Sequence, residues 1–127
     1  MLVDDEPDIL SAVKYALEQC PSFSYTVDGY SNPEVALDSF RGKAAEYSLV
    51  LTDVRMPIMN GFQLAAEITK IRNDIPVIFM TAFNVDESML GYPSALRKEN
   101  VARKPEDILR LCGIMEKVLV KVLARTE

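Results

Sequence analysis

The amino-acid sequence predicts an α/β fold, a doubly wound five-stranded parallel sheet in the order 2-1-3-4-5 with helices on both faces. Two observations carry that expectation. Five short apolar runs alternate with five stretches of helical period, and no internal repeat or low-complexity linker interrupts them. The stretch Ser48 to Gly61, SLVLTDVRMPIMNG, shows how one unit is built: an apolar run ends in Asp53, and Pro57 with Asn60-Gly61 then forces a loop before a new helix. A carboxylate is thereby placed at the carboxyl end of a strand, the edge at which open α/β sheets bind ligands.

Taken in order, Leu2-Val3 is the first strand, running into Asp4, Asp5 and Glu6 before Pro7 opens a helix. Ile9, Val13, Ala16, Leu17 and Cys20 recur there at helical spacing, with Lys14 and Glu18 on the other side. Tyr25 to Tyr30 alternates as a second strand, and Ser31-Asn32-Pro33-Glu34 starts a helix whose apolar stripe is Val35, Ala36, Leu37 and Phe40. Ser48 to Thr52, with Val and Leu on consecutive positions, reads as a buried third strand. A helix from about Phe62 to Ile71 turns Leu64, Ala65, Ile68 and Ile71 inward, and Asn73-Asp74 breaks it. Pro76 to Met80 is the fourth strand, ending in Thr81-Ala82. The helical pattern from Val85 to Leu90 is interrupted by Gly91 and Pro93. Val101-Ala102 is the last strand and leads to Arg103-Lys104-Pro105. A helix from Glu106 to about Ala124 closes the chain on Ile108, Leu111, Cys112, Met115, Leu119 and Val122.

Composition removes several classes of function. A chain of 127 residues suits a single domain over 1–127, and 49% hydrophobic with 26% charged residues is the balance of a soluble globular protein. No apolar run reaches the length of a membrane span and no basic signal region opens the chain, so a cytoplasmic location without a membrane partner is expected. The net charge of −5 argues against direct nucleic-acid binding. Without histidine there is no phosphohistidine, Ser/His triad or histidine-ligated metal. The five glycines are scattered, which argues against a phosphate-cradling nucleotide loop. Cys20 and Cys112 fall on expected helices with no pairing spacing, and read as reduced thiols rather than a disulfide or a metal site.

Four strands end in a polar group: Asp4-Asp5, Asp53, Thr81 and Lys104. In the order 2-1-3-4-5 the first and third strands are neighbours at the topological switch point, so Asp4, Asp5 and Asp53 share one crevice. Three carboxylates so close call for a hard divalent cation with oxygen ligands, Mg²⁺ foremost. Thr81 as a hydroxyl donor and Lys104 as a mobile point charge suit the oxygens of a phosphoryl group. Such equipment around a carboxylate nucleophile fits phosphoryl transfer to aspartate. Singly, Asp4-Asp5 also reads as a helix N-terminal charge cluster, Thr81 as a turn hydroxyl and Lys104 as a surface lysine; their joint placement at strand ends favours the site.

The motifs VDDEP near the start, TDVRMPIMNG in the middle, MTA after the fourth strand and KP after the fifth resemble, in order and spacing, the receiver domain of two-component response regulators. The resemblance implies a flavodoxin-like sheet and a phospho-accepting switch that assists its own phosphoryl transfer and loss without being a turnover enzyme. Asp53 would accept the phosphoryl group, Asp5 and Asp53 with the Arg55 carbonyl would bind Mg²⁺ directly, and Asp4 would act through water. Thr81 and Lys104 would grip the phosphoryl group. The donor would be a sensor histidine kinase or phosphotransfer protein, and the phosphorylated form would control an output protein or effector domain. Three departures concern the output. Val101 stands where the family usually has an aromatic switch residue, Lys98-Glu99-Asn100 replaces the usual glycine, and Gly91 and Pro93 disturb the fourth helix.

Other readings fit less well. A haloacid-dehalogenase type of phosphatase needs a second acid two residues after the nucleophile, where Arg55 stands, and an FMN carrier would meet repulsion from Asp4-Asp5-Glu6. A degenerate receiver acting only as a protein-binding module remains the alternative. Arg55 and Phe83 are expected to rim the pocket and slow hydrolysis of the aspartyl phosphate by obstructing water. Leu109 and Val120 either complete the core or widen an apolar face. On the second reading, phosphorylation shifts the segment Phe83 to Leu96 and alters partner binding or homodimer formation through the fourth helix, fifth strand and fifth helix. No effector domain follows Glu127 in these residues, which leaves a stand-alone receiver and a piece of a longer protein both open.

Overall fold

Along Leu2-Val3, Val50-Leu51 and Val77 to Met80, successive side chains divide between two apolar layers, and that division decides where the helices sit. The computed structural model describes residues 1–21, 23–81, 101–103 and 110–126. Its strands are β1 (Leu2–Val3), β2 (Gly29–Tyr30), β3 (Val50–Asp53), β4 (Val77–Thr81) and β5 (Val101–Arg103). All neighbours are parallel, in the expected order β2-β1-β3-β4-β5. The helices are α1 (Pro7–Glu18), α2 (Pro33–Lys43), α3 (Gly61–Ile71) and a closing helix (Leu111–Thr126), with a 3-10 turn at Ala44–Glu46. The expected fourth helix, with Gly91 and Pro93, lies outside the described residues, as do Phe83, Lys104 and Leu109.

On one face of the sheet, Val3, Val50 and Phe79 pack with Ala36, Leu37 and Phe40 of α2 and Leu64, Ala65 and Ile68 of α3. On the other, Leu2, Leu51, Ile78 and Met80 pack with Val13 and Leu17 of α1 and Leu111, Met115 and Val118 of the closing helix. Consecutive apolar residues are needed because successive side chains point to opposite faces and both faces are covered. Burying one such Leu or Phe contributes about 2 to 3 kcal/mol, and truncating Phe40 to Ala would cost roughly 3 to 5 kcal/mol once the cavity is included.

Local chemistry sets the helix starts. Proline opens both α1 and α2, and the Asn32 side chain accepts from the backbone N–H of Glu34 and Val35. Two residues expected on apolar stripes are exposed instead: Val35 lies off the Ala36-Leu37-Phe40 face, and Ile71 is the last residue of α3, beyond the sheet-facing turn. Val118, not singled out in the sequence, is buried, while Val120 is exposed. Strand β2 is shorter than Tyr25 to Tyr30 because it lies at the edge and pairs only with the two residues of β1.

That edge is fastened by side chains. Lys43 Nζ and the Tyr47 hydroxyl both donate to Asp28 Oδ2, at 3.0 and 2.8 Å, and Ser39 Oγ lies between the Tyr30 and Tyr47 hydroxyls. The bonds from Lys43 and Tyr47 hold the Asp28 carboxyl below its ordinary range, while burial foremost pushes the Tyr47 phenol up to about 12.

The cysteine reading is overturned. Cys20 and Cys112 are joined by a disulfide, with Cα atoms 5.7 Å apart and a sequence separation of 92. Cys20 follows the end of α1, and Cys112 lies in the first turn of the closing helix. Spacing along the chain carried no signal because the two sulfurs meet only when α1 and the closing helix share one face of the sheet.

Candidate functional site

The carboxyl edge of the sheet is assembled by strand register. Asp53 is the last residue of β3 and pairs with Met80; Thr81 is the next residue of β4 and pairs with Arg103 of β5. Asp4 follows β1 directly, and its backbone N–H donates to the Tyr30 carbonyl at 3.1 Å. Asp4 and Asp53 are buried and Asp5 is half-buried. One carboxylate oxygen from each of the three acids lies within 4.8 Å of the other two.

Burial and proximity make this cluster costly by itself. Unit charges 4.8 Å apart repel by about 3 kcal/mol per pair at an effective dielectric constant near 20. Local hydrogen bonds offset part of that cost and set the orientation of two of the acids. The Glu6 N–H donates to Asp4 Oδ1 and the Val54 N–H to Asp53 Oδ1, both at 2.9 Å. The Asp4 bond is a local turn just before α1, whose N-cap, Glu6, makes no side-chain capping bond. The Thr52 hydroxyl donates to the Asp53 carbonyl at 3.0 Å, so the buried hydroxyl beside the acid is satisfied locally. Three hard oxygen donors at this separation are the donor set a divalent cation such as Mg²⁺ takes, and the residues fit it.

The loop behind Asp53 returns on itself. Gly61 N–H donates to the Val54 carbonyl at 2.8 Å, and a Cβ at Gly61 would stand 2.2 Å from the Asp53 carbonyl oxygen. Only glycine allows that approach. Asn60 and Gln63 form a reciprocal capping box that starts α3. Between them and Asp53, the Met59 N–H donates to the Pro57 carbonyl across Ile58, whose φ of 75° makes a γ-turn of the strained, positive-φ kind. Ile58 is 71% exposed, so packing does not impose this conformation. The sequence marked Asn60-Gly61 as a loop; the capping box was readable in Asn60 and Gln63, whereas the demand for glycine and the strain at Ile58 come from the closed loop.

The structure thus brings Asp4, Asp5 and Asp53 together and sets Thr81 beside them on the neighbouring strand. Arg55 is an exposed residue of the loop, and Lys104 follows the end of β5 in sequence.

The sequence profile of the family described as response regulator receiver domain matches residues 1–113. Response regulator receiver protein CpdR of Brucella abortus is 31% identical over 120 residues, covering 94% of this chain and 95% of that protein. Two-component response regulator ORR26 of Oryza sativa subsp. japonica is 37% identical over 81 residues, which are 64% of this chain and 13% of the rice protein. Response regulator RppA of Synechocystis is 29% identical over 124 residues; 98% of this chain is matched and about half, 48%, of that protein. A receiver domain protein from Clostridium thermocellum superposes with a TM-score of 0.75 at 26% identity, over 98% of this chain and 93% of that one. A CheY-like receiver from Methanospirillum hungatei has a TM-score of 0.83 at 22% identity, over 98% and 94%, which marks a shared fold.

Proposed function

Because this chain belongs to the response regulator receiver domain family, whose members are phospho-accepting switches and not turnover enzymes, we propose that Asp53 accepts a phosphoryl group from a histidine kinase or phosphotransfer protein. The observation that carries the reading is the meeting of Asp4, Asp5 and Asp53 at the carboxyl edge of the sheet. An Asp53 carboxylate oxygen attacks phosphorus as the bond to the donor imidazole breaks, and the Val54 N–H, on Oδ1, orients the attacking group. Asp4, Asp5, Asp53 and the Arg55 carbonyl would hold Mg²⁺, which when bound supplies positive charge between the acids and the incoming phosphoryl oxygens. Thr81, one residue past the level of Asp53 on the adjacent strand, donates its hydroxyl to the transferred group, and Lys104 supplies its charge.

The switched form acts on an output protein or an effector domain. The route out runs through the segment 83–96 and the closing helix, with homodimer formation or partner binding as the readout. A cytoplasmic location accords with the donor; no helix among the described residues is long and apolar enough to cross a membrane.

The test is labelling by a small acyl phosphate. Labelling should require Mg²⁺ and cease with a chelator. Thr81→Ala and Lys104→Ala should keep the fold but lose most of the change that a fluoroberyllate mimic produces in amide exchange. Mg²⁺-independent labelling, or wild-type responses from both variants, would remove the reading. A protein that takes no label and binds its partner regardless would be a binding module instead.

A further inference from the structure

The bond between Cys20 and Cys112 ties the segment just after α1 to the closing helix, two elements that also pack in one apolar layer. Leu111, Met115 and Val118 seat the closing helix in the same apolar layer as Val13 and Leu17 of α1. These contacts do not run through the sulfurs, so the cross-link adds a restraint to a helix that the apolar layer already seats. The Ala16 carbonyl lies 3.7 Å from Cys20 Sγ and 4.0 Å from Cys112 Sγ, an acceptor at hand for a thiol proton once the bond is broken.

The two sulfurs differ in setting. Cys112 is half-buried in the first turn of the closing helix, where the helix dipole favours a thiolate. Cys20 is buried just beyond the carboxyl end of α1, where the dipole opposes one. One attacking and one resolving thiol are therefore distinguished by position. In the cytoplasmic location proposed above, a cross-link between cysteines is more often transient than structural.

We propose that Cys20 and Cys112 are a reversible thiol–disulfide pair, closed by a peroxide and opened by a dithiol, that sets how firmly the closing helix is tied to α1. In closing, the Cys112 thiolate attacks a peroxide oxygen, the O–O bond breaks, and water leaves after taking up a proton. The resulting sulfenic acid is attacked by Cys20 sulfur, forming the S–S bond and releasing a second water. Two thiols thus lose two electrons and two protons to one hydrogen peroxide. In opening, an external dithiol takes the bond through a mixed disulfide and is itself oxidised. The device is independent of the phosphoryl reading, and its test uses neither Asp53 nor a phosphodonor.

The experiment treats the full chain with hydrogen peroxide or dithiothreitol under native conditions, removes the reagent, alkylates free thiols in denaturant for intact mass, and reads amide exchange on the native chain. The reduced chain should take two alkyl groups and the oxidised chain none, with full recovery on adding dithiothreitol without denaturant. Exchange across residues 110–126 should be about tenfold slower when oxidised. Cys20→Ser and Cys112→Ser should each leave one alkylatable thiol and abolish the difference; should either fail to fold, a Cys20→Ala/Cys112→Ala double variant should match the reduced chain and ignore peroxide. Two alkyl groups after peroxide, a bond that opens only in denaturant, or equal exchange in both states would overturn the proposal.

Discussion

Gly61→Ala is the substitution whose consequence is set most directly by a distance. The added Cβ would lie 2.2 Å from the Asp53 carbonyl oxygen, 3.0 Å from its carbonyl carbon and 3.1 Å from Val54 Cα. All three are backbone atoms, so no side chain can swing aside. An ordinary contact is about 3.5 Å, and the loop must therefore retreat from β3 by roughly 1 Å. Overpacking of this kind costs about 1 to 3 kcal/mol. Losing the 2.8 Å bond from Gly61 N–H to the Val54 carbonyl adds about 1 kcal/mol. Together they lower stability by about 2 to 4 kcal/mol, a fall of roughly 1 to 2 M in the urea midpoint. Because the displaced backbone is that of Asp53, labelling of the folded variant should slow by about 100-fold. Urea unfolding followed by circular dichroism, with acyl-phosphate labelling in the folded baseline, measures both. An unchanged midpoint with a wild-type labelling rate would refute the close approach as a requirement of the site.

Other expectations follow from the loop and from the sheet edge. Ile58→Asn should raise stability by about 1 kcal/mol, because asparagine tolerates the φ of 75° that a β-branched side chain resists; a urea midpoint that fails to rise would deny the strain. The Asp28 carboxyl has a folded value below its ordinary 3.8, with the Lys43 bond first and the Tyr47 bond second among the causes. Its stabilisation is present above 3.8 and is lost as pH falls through the folded value. Asp28→Asn should therefore unfold at lower urea than wild type near neutrality, with the gap closing in acid; a gap constant with pH would show that the carboxylate charge plays no part.

Much of this molecule was legible because period and punctuation agree. Consecutive apolar residues at Val50-Leu51 and Val77-Ile78, bounded by turn residues, read as strands covered on both faces, and acids stand at the ends of the first and third strands. From parallel order alone, Asp4 and Asp53 had to be neighbours. What was not legible depends on contacts between distant elements or on exact helix phase. Cys20 and Cys112 meet only after two helices dock, 92 residues apart. Val35 and Ile71 look like stripe residues in sequence, yet the helices turn them to solvent. The strain at Ile58 arises because Gly61 closes back on Val54, and no single residue announces that closure.

The central claim is that Asp53, held against Asp4 and Asp5, is the phospho-acceptor. Its most direct test is to label the protein with a small acyl phosphate and Mg²⁺, digest it, and locate the phosphoryl group by mass spectrometry, with Asp53→Asn treated in parallel. One phosphoryl group should be found on Asp53 in the wild-type chain and none in the variant. A label at Asp4 or Asp5, or one retained by Asp53→Asn at the wild-type rate, would contradict it.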